Sequence, residues 1–406
     1  MPKSQRQTPA AAKDAAHPAS ATARERAQHE RWLLELTGLP TAAGREDRVI
    51  DWIDRWVRDR PDLALRRDDH GNLVITQKSR AAGRKGSGRL ERTPDPIWFQ
   101  AHLDHPAFVV RSIGDRKTVE LAFRGGVHDP YFDRARIDII DAAGKAHRAT
   151  IVSLDAAAKP FKIVTARLAR SAPSIAVGDI GRWALPAPKI AKGLIHTHGC
   201  DDLAAVAAAL AALDRVRGRP GHGHVGAFFT RAEEIGFVGT IGAARDGTLP
   251  KSSRIICLEN SRSFAESPIG GGPILRVGDR RSVFVPELTN RIGDIMMAHQ
   301  KGDPSFVYQR KLMPGGTCEA TAYASYGYRS TCLCLALGNY HNMVDIDGVL
   351  AGKRPARIGS EFVSVADFHG LVTMLEIIAR DLDSASVPPL RDTMETLWKD
   401  LSFVLD

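Results

Sequence analysis

Apolar residues recur at helical spacing near the start of the chain. The segment RWLLELTGLP, residues 31–40, has this spacing and stops at Gly38 and Pro40. The segment REDRVIDWIDRWVRDR, residues 45–60, has one clear apolar face and ends at Pro61. Both segments predict helices. Further helical patterns cover 201–216, a stretch after Glu234, 291–302 and 361–382.

Short apolar runs predict strands between these helices. They lie at 71–77, 96–104, 225–230, 254–260 and 331–338. From 107 to 190 the pattern changes to short β-rich pieces broken by Gly, Asp and Pro. Outside that stretch strands alternate with helices. This pattern predicts an α/β fold, a mostly parallel or mixed sheet sandwiched by helices, with a small β-barrel-like domain inserted.

Composition narrows the class of protein. The chain has 406 residues, of which 43% are hydrophobic, so a largely disordered chain is excluded. No run of about 18 apolar residues occurs, which argues against a membrane-spanning helix. Five cysteines are too few and too unevenly spaced for a disulfide framework, and the first residues lack the apolar core of a secretory signal. We therefore expect free thiols and a cytoplasmic protein.

The net charge of +9 raises the question of nucleic-acid binding. Residues 1–30 carry five Lys or Arg against three acids, and residues 78–92 carry six against one, so most of the excess lies in these two stretches. Both are rich in Gly, Ala and Ser, unlike a basic face built on a fold. We interpret them as a disordered tail and a solvated loop, and expect neither a nucleic-acid nor a membrane partner.

Polar and ionisable side chains follow several of the predicted strands. In open α/β sheets the carboxyl ends of the strands are where ligands bind. Each residue alone has an ordinary structural interpretation, such as a helix cap or a first-turn acid. Together they predict a metal site, because imidazole and carboxylate suit Zn²⁺, Mn²⁺ or Co²⁺. The set is His102, Asp104, Asp201, Asp202, Glu233, Glu234, Glu259 and His341.

The set has the composition that a two-ion hydrolase needs. A bridging carboxylate, with one His and one further carboxylate on each side, can hold two ions about 3.5–4 Å apart. One more carboxylate must stay off the ions to take a proton from water. The adjacent Glu233 and Glu234 can supply a base and a ligand. Asp104, two residues after His102, is placed to orient that imidazole through its other nitrogen.

Six segments resemble, in order, the motifs of the M42 metallo-aminopeptidases, a family of the clan of di-metal peptidases that also holds M20 and M28. The resemblance spans roughly residues 30–382, and the β-rich insertion after the first motif distinguishes M42 from its relatives. The segments are AHLDHPAF (101–108), HGCDDLAAVAAAL (198–210), TRAEEIGFVGT (230–240), CLEN (257–260), GGTCEATA (315–322) and GNYHN (338–342).

The resemblance implies a role for each matching residue. Glu233 would be the catalytic general base, and Asp104 the acid that supports His102. Asp202 stays a residue that starts a helix, with a supporting role at the site left open. The five implied ligands of two divalent ions, zinc by expectation and cobalt or manganese as alternatives, are His102, Asp201 as the bridge, Glu234, Glu259 and His341.

Three positions depart from the family pattern. Glu259 stands where Asp is usual, Cys318 where Asp usually follows GGT, and His105 where an acid often follows the first motif. Metal preference and substrate contacts should therefore not be transferred from the family. His196 and His198 could also reach a metal, although polar loop residues are the default interpretation.

Four segments follow from these observations: a tail (1–30), a catalytic domain (31–106 and 190–383), an inserted β domain (107–189) and a C-terminal appendage (384–406), a helix that could dock on a neighbouring subunit. The resemblance implies a metal-dependent aminopeptidase that hydrolyses N-terminal residues of peptides with a metal-activated water, and a homo-oligomer. The alternatives are a deacylase or carboxypeptidase of the M20 or M28 type, and a non-catalytic binding protein on the same fold.

Overall fold

The computed structural model describes residues 21–78, 94–115, 117–384 and 387–405. The predicted disordered tail falls outside these ranges up to residue 20, and the predicted basic loop falls outside them except for Lys78. Within these ranges no helix combines the length and the apolar character that crossing a membrane requires.

The chain begins with two helices and three strands. A Thr22–Glu25 capping box starts the first helix eight residues before its predicted start, so residues 23–30 are not disordered. The second helix buries Val49, Ile53 and Trp56, as its apolar face predicts. The elements are α1 (Ala23–Thr37), α2 (Asp47–Arg58), β1 (Leu63–Arg67), β2 (Leu73–Gln77) and β3 (Ile97–His102).

The next six strands close into an antiparallel barrel in the order β4-β5-β8-β7-β6-β9. Its interior is aromatic: Phe108 lies 4.8 Å, between ring centroids, from both Phe123 and Trp183. The strands are β4 (Ala107–Ile113), β5 (Thr118–Arg124), β6 (Arg136–Ile140), β7 (Ala146–Asp155), β8 (Lys162–Leu168) and β9 (Ile180–Trp183).

The chain then returns to alternating strands and helices. The predicted helix 361–382 is wrong at its start, because residues 361–364 form a strand. These elements are β10 (Lys189–Ala191), β11 (Leu194–Thr197), α3 (Leu203–Val216), β12 (Val225–Thr230), α4 (Val238–Asp246), β13 (Arg254–Arg262), β14 (Ile274–Gly278), α5 (Pro286–Gly302), β15 (Gln309–Leu312), α6 (Glu319–Ser325), β16 (Arg329–Leu337), β17 (Met343–Val344), α7 (Ile346–Leu350), β18 (Arg357–Ile358), β19 (Glu361–Ser364), α8 (Val365–Asp381) and α9 (Leu390–Leu401).

Eight strands form the main sheet, in the order β1-β2-β12-β3-β13-β16-β14-β15. The four central strands, β12, β3, β13 and β16, run parallel to their neighbours within that group, and antiparallel pairing joins them to β2 and β14. Helices α1, α3 and α8 pack together on one face, and α4 and α6 pack on the other. The predicted fold class, including the barrel, is confirmed.

Helix α3 is the centre of the larger core. Every residue of this Ala- and Leu-rich helix except Asp214 is buried. Small alanine side chains let α3 lie close to the sheet and to α8 at the same time. The first residues of α3 are therefore held firmly at the edge of the sheet where the central parallel strands end.

Candidate metal centre

The predicted site residues meet at the carboxyl edge of the four central strands. His102 is the last residue of β3 and pairs in register with Thr230, the last residue of β12. Glu233 and Glu234 follow β12 in the loop before α4. Glu259 lies within β13, which extends to Arg262 rather than ending at residue 260.

The other members of the set come from loops at the same edge. Asp201 and Asp202 connect β11 to α3, and His341 lies in a short 3₁₀ turn after β16. The side chains that form the close contacts are buried, and none of them is more than 10% exposed.

Asp201 lies between two imidazoles. Its Oδ1 is 3.4 Å from Nε2 of His102, and its Oδ2 is 3.4 Å from Nε2 of His341. Around His102 Nε2 lie also Glu233 Oε2 at 3.7 Å and Glu259 Oε1 at 3.9 Å. Around His341 Nε2 lies Glu234 Oε1 at 3.3 Å. The five predicted ligands therefore form two groups that share Asp201.

Hydrogen bonds of the other ring nitrogens fix how these imidazoles face the carboxylates. Nδ1 of His102 lies 3.1 Å from the backbone oxygen of Asp104, and Nδ1 of His341 lies 2.6 Å from the backbone oxygen of Gly126. A carbonyl oxygen only accepts, so each Nδ1 carries a proton and each Nε2 faces the carboxylates.

This donor set fits divalent cations. Four carboxylates lie 3.3–3.9 Å from these Nε2 atoms, and the repulsion among their charges falls when a cation lies between them. Oδ1 of Asp201 and Oε1 of Glu234 are also buried without a hydrogen-bond partner among the described residues. Nitrogen and carboxylate donors of this kind suit zinc, manganese or cobalt. The possible metal donors form three groups, in each of which one donor atom per residue lies within 4.8 Å of all the others. These groups are His102, Asp201, Asp202 and Glu259; His102, Glu233 and Glu234; and Asp201, Glu234 and His341.

The electrostatics of the site differ from one carboxyl to another. Burial raises the pKa of Glu233 well above its usual range, and the charges of Glu234 and Glu259 add to this. Burial, together with the charge of Asp201, raises the pKa of Glu259 to about 7. Burial opposes ionisation of Asp201 too, but the adjacent imidazoles of His102 and His341 outweigh it and hold the pKa of Asp201 well below its usual range.

Asp104 supports the site in a way that the sequence did not predict. Its backbone oxygen, rather than its carboxylate, is the nearer acceptor for His102, since Oδ1 lies 3.6 Å from Nδ1. The carboxylate instead accepts the backbone N–H groups of Glu233 at 2.9 Å and Glu234 at 3.1 Å. Asp104 thus links the end of β3 to the loop after β12.

Asp202 precedes α3, as predicted, and its side chain supports the site. It occupies the first position before α3, but its side chain makes no capping hydrogen bond. Its carboxylate accepts the backbone N–H of His102 at 3.2 Å and the side-chain amide of Asn260 at 2.7 Å. Asp202 therefore ties β3 and β13 together beneath the site.

The residues that depart from the family pattern have structural partners. Nδ1 of His105 lies 2.5 Å from the backbone oxygen of Asp201, and its Nε2 lies 3.1 Å from Oδ1 of Asn342, so His105 lies behind Asp201. Cys318 is buried, and its backbone N–H donates to Asp279. Neither His196, His198 nor a cysteine belongs to any of the spatial groupings of metal donors among the described residues.

Sequence reasoning missed two residues of the site. Tyr340 stacks on His341 with ring centroids 3.7 Å apart. Glu361 is completely buried and accepts backbone N–H groups from both loops that carry Asp201 and His341. Tyr340 adjoins a predicted ligand in the GNYHN motif, which was the available signal. No signal in the sequence pointed to Glu361, because the pattern of its segment predicts a helix rather than a strand beside the site.

A cavity of about 380 Å³ opens onto the carboxylates. Its walls come from the main sheet, from the Gly-rich loop at 315–317 and from the barrel, so both parts of the molecule enclose it. The lining includes Asp201, Glu233, Glu234, Glu259 and His341, the apolar Val127, Phe264, Met313, Met343 and Ile346, and the basic His128, Arg262 and Arg276.

Comparison with known proteins relates this arrangement to one family. The family model described as M42 glutamyl aminopeptidase matches residues 164–354. The comparison with curated proteins finds no match.

Solved structures share the fold over most of the chain. The TET1 peptidase of Pyrococcus horikoshii, which assembles into a tetrahedron or a large octahedral shell, is 18% identical with a TM-score of 0.66, and the match covers 86% of this chain and 99% of that one. An aminopeptidase of the archaeon Desulfurococcus kamchatkensis is 19% identical with a TM-score of 0.67, covering 89% and 98%. An endoglucanase of Thermotoga maritima is 16% identical with a TM-score of 0.58, covering 86% and 96%. At these identities the likeness establishes the fold.

Proposed function

We propose that the chain is a metal-dependent aminopeptidase of the M42 family, which the family match over residues 164–354 supports, and that its residues divide the reaction as follows. One observation carries the proposal. The two carboxylate oxygens of Asp201 each lie 3.4 Å from a different imidazole, and each imidazole has a further carboxylate beside it. This is the arrangement of a bridging ligand between two cation sites.

Two divalent ions per chain would be held by this set, with zinc expected and cobalt or manganese as alternatives. The first site comprises His102, Asp201 and Glu259. The second comprises Asp201, Glu234 and His341. Such ions supply Lewis acidity to a peptide carbonyl and to an attacking water. Glu259 is long enough to reach its site from within β13, since its Oε1 already lies 3.9 Å from Nε2 of His102.

Glu233 would act as the general base. It lines the cavity, it belongs to neither proposed ion site, and the hydrogen bond from its backbone to Asp104 fixes its position. Burial and neighbouring carboxylates raise its pKa, which makes it a better proton acceptor than an exposed glutamate. Its carboxylate would take the proton from the attacking water and pass it to the leaving amine.

The substrate would be a peptide with a free N-terminus. The enclosed cavity, bounded by apolar side chains and by four carboxylates, suits a cationic amine beside one side chain. Elemental analysis of protein purified without chelator, together with a panel of aminoacyl-p-nitroanilides in Zn²⁺, Co²⁺ and Mn²⁺, tests the proposal. N-acetylated versions of the same substrates are the matched control.

We expect about two ions per chain and hydrolysis of the free-amine substrates alone. Two ions with cleavage of only the acylated or C-terminal substrates would replace the aminopeptidase with a deacylase or carboxypeptidase. No bound ion and no turnover with any metal would refute the proposed site.

The protein would also form homo-oligomers, and its surface supports this: α9 buries no side chain against the rest of the chain. It exposes Leu397, Trp398 and Leu401 by 48–62%, an arrangement suited to docking on another subunit. Light scattering on the full chain and on a Trp398→Glu variant tests this, and an unchanged mass would argue against α9. Five buried free cysteines suit a reducing compartment, which supports a cytoplasmic location.

A further inference from the structure

Glu361, the first residue of β19, connects two loops at the metal centre. Its Oε2 accepts the backbone N–H of Cys200 at 2.7 Å and that of Asp201 at 3.1 Å. Its Oε1 accepts the backbone N–H of His341 at 2.7 Å. The side chain is completely buried, so water does not compete for these bonds. One carboxylate therefore spans the loops that carry the bridging ligand and the second imidazole.

These two loops are far apart in the sequence, so contacts between distant segments must hold them together. Asp201 lies between β11 and α3, whereas His341 follows β16, about 140 residues later. His341 has a left-handed backbone with φ of 53°, and its neighbour Asn342 has φ of 65°. Such angles are uncommon for residues other than glycine and persist when surrounding contacts hold them. The hydrogen bond from His341 to Glu361 is one of those contacts.

The strand that carries Glu361 is itself anchored. β19 pairs antiparallel with β11, and Glu361 lies opposite Thr197, four residues before Asp201. The Asp201 loop follows β11 directly, so the pairing of β19 with β11 fixes where the Glu361 carboxylate lies relative to this loop. A second contact reinforces the link, since the Nε2 of His105 faces Asn342 while its Nδ1 faces the backbone oxygen of Asp201.

The three donors require a carboxylate at this position. Both oxygens of Glu361 accept, so a glutamine would turn its NH₂ group towards backbone N–H groups on one side and lose those bonds. No Lys or Arg among the described residues forms an ion pair with Glu361, which distinguishes it from an ordinary buried salt bridge. Its hydrogen bonds go entirely to the backbone of the site.

We infer that Glu361 is a positioning residue for the second ion site, holding Asp201 and His341 at the separation that one cation needs. This inference rests on the proposed function, because it takes Asp201 and His341 as ligands. Loss of an outer partner of metal ligands typically costs about 10–100-fold in metal affinity. The first site shares Asp201, but its other ligands, His102 and Glu259, do not contact Glu361, so the first site should weaken less than the second.

The test compares Glu361→Gln and Glu361→Asp with a matched control, Glu376→Gln. Glu376 is also buried, but it binds Arg215 and Arg219 far from the site. Calorimetric titration of each chelator-stripped protein with Zn²⁺ gives the affinity of each site, and the visible spectrum of the Co²⁺-loaded protein reports coordination. We expect both Glu361 variants to weaken the second site about 10–100-fold and to change its Co²⁺ spectrum, while the first site weakens less and the control keeps wild-type values.

Two wild-type affinities with an unchanged Co²⁺ spectrum in either Glu361 variant would overturn the inference and leave the proposed function intact. If Glu361→Gln does not fold, Glu361→Asp decides, since it retains the charge and shortens the reach. Equal weakening of both sites, or the same loss in Glu376→Gln, would also overturn it by indicating a general effect on stability. Failure of the wild-type protein to bind any ion would instead refute the proposed function.

Discussion

The carboxylate of Asp104 accepts the backbone N–H of Glu233 at 2.9 Å. Asp104 follows β3 and Glu233 follows β12, two adjacent parallel strands of the sheet. The residue expected to orient an imidazole therefore also fixes the loop that carries the proposed base. It does both with different atoms, since the backbone oxygen of Asp104 faces His102.

Asp104→Ala should lower both turnover and stability. The change leaves the buried N–H groups of Glu233 and Glu234 without their acceptor, at about 1–3 kcal/mol for each unsatisfied group. Glu233 would then be less well placed, so kcat should fall more than KM rises. Urea unfolding and steady-state kinetics measure the two effects. Asp69→Ala, at an exposed position, is the control. Wild-type turnover in Asp104→Ala would contradict the positioning role.

Glu233→Gln should abolish most of the turnover while both ions remain. The amide keeps the size of the side chain and its place beside His102 but cannot take a proton. A reduction of kcat by about 10²–10⁴-fold is expected for loss of a general base. Elemental analysis of the purified variant should find the wild-type metal content. If the variant has lost an ion, Glu233 is a ligand and the base must be sought elsewhere.

Asp201→Ala should empty both ion sites. Each proposed site uses one oxygen of this carboxylate, so its removal weakens both sets of ligands together. Zinc titration should find no binding near the wild-type affinities, and hydrolysis of aminoacyl-p-nitroanilides should not be detectable. A variant that keeps one tightly bound ion would mean that Asp201 serves a single site, and two retained ions would exclude any ligand role.

The free energy of unfolding should fall as the pH is lowered from 6.5 towards 4, in part because of His29. Burial lowers the pKa of His29 from 6.5 to about 4, and the charge of His369 adds to this. In that window the unfolded chain binds a proton that the folded chain does not, so stability is present above the window and is lost as pH falls through it. The groups that face His29 are His369 from α8, Asp214 and Arg215 from α3, and Glu25 from α1 itself.

His29→Phe isolates this contribution. The phenyl ring can keep the packing against Trp32, whose ring centroid lies 5.5 Å from that of His29, and it cannot be protonated. Urea unfolding at pH 7.5, 5.5 and 4.5 should give a smaller decrease for the variant than for wild type. His222→Phe, at a half-buried turn, should leave the decrease unchanged. Parallel curves for His29→Phe and wild type would show that His29 does not contribute.

The pattern of apolar and polar residues was enough to predict those strands and helices whose formation depends on their own residues. The run VGAFFT forms β12 at the predicted bounds, and the Ala- and Leu-rich run forms α3, because each is apolar throughout and ends at polar residues. The same pattern placed His102 and Glu259 on strands, and the structure shows that these two strands are adjacent. The early start of α1 was also within reach, since Thr22 and Glu25 form the spacing of a capping box.

Other features depend on pairing between distant segments. Residues 361–364 have a helical pattern but form β19, because Glu361 and its neighbours pair with β11. The partners that orient His102 and His341 are backbone oxygens, which carry no signature in the sequence. The family resemblance named the ligands but not these contacts, which is why Asp104 and Glu361 acquired their structural roles only from the fold.

One of those backbone oxygens belongs to Gly126, just after β5 of the barrel, and it accepts the Nδ1–H of His341 at 2.6 Å. The barrel thus determines which nitrogen of a proposed ligand is free to bind an ion. A chain in which a short linker replaced the barrel would retain the whole main sheet and every proposed ligand, yet His341 would be able to exchange its tautomer. The proposed metal centre therefore depends on the insertion, and trimming the chain to its sheet and helices would leave one of its imidazoles without the partner that orients it.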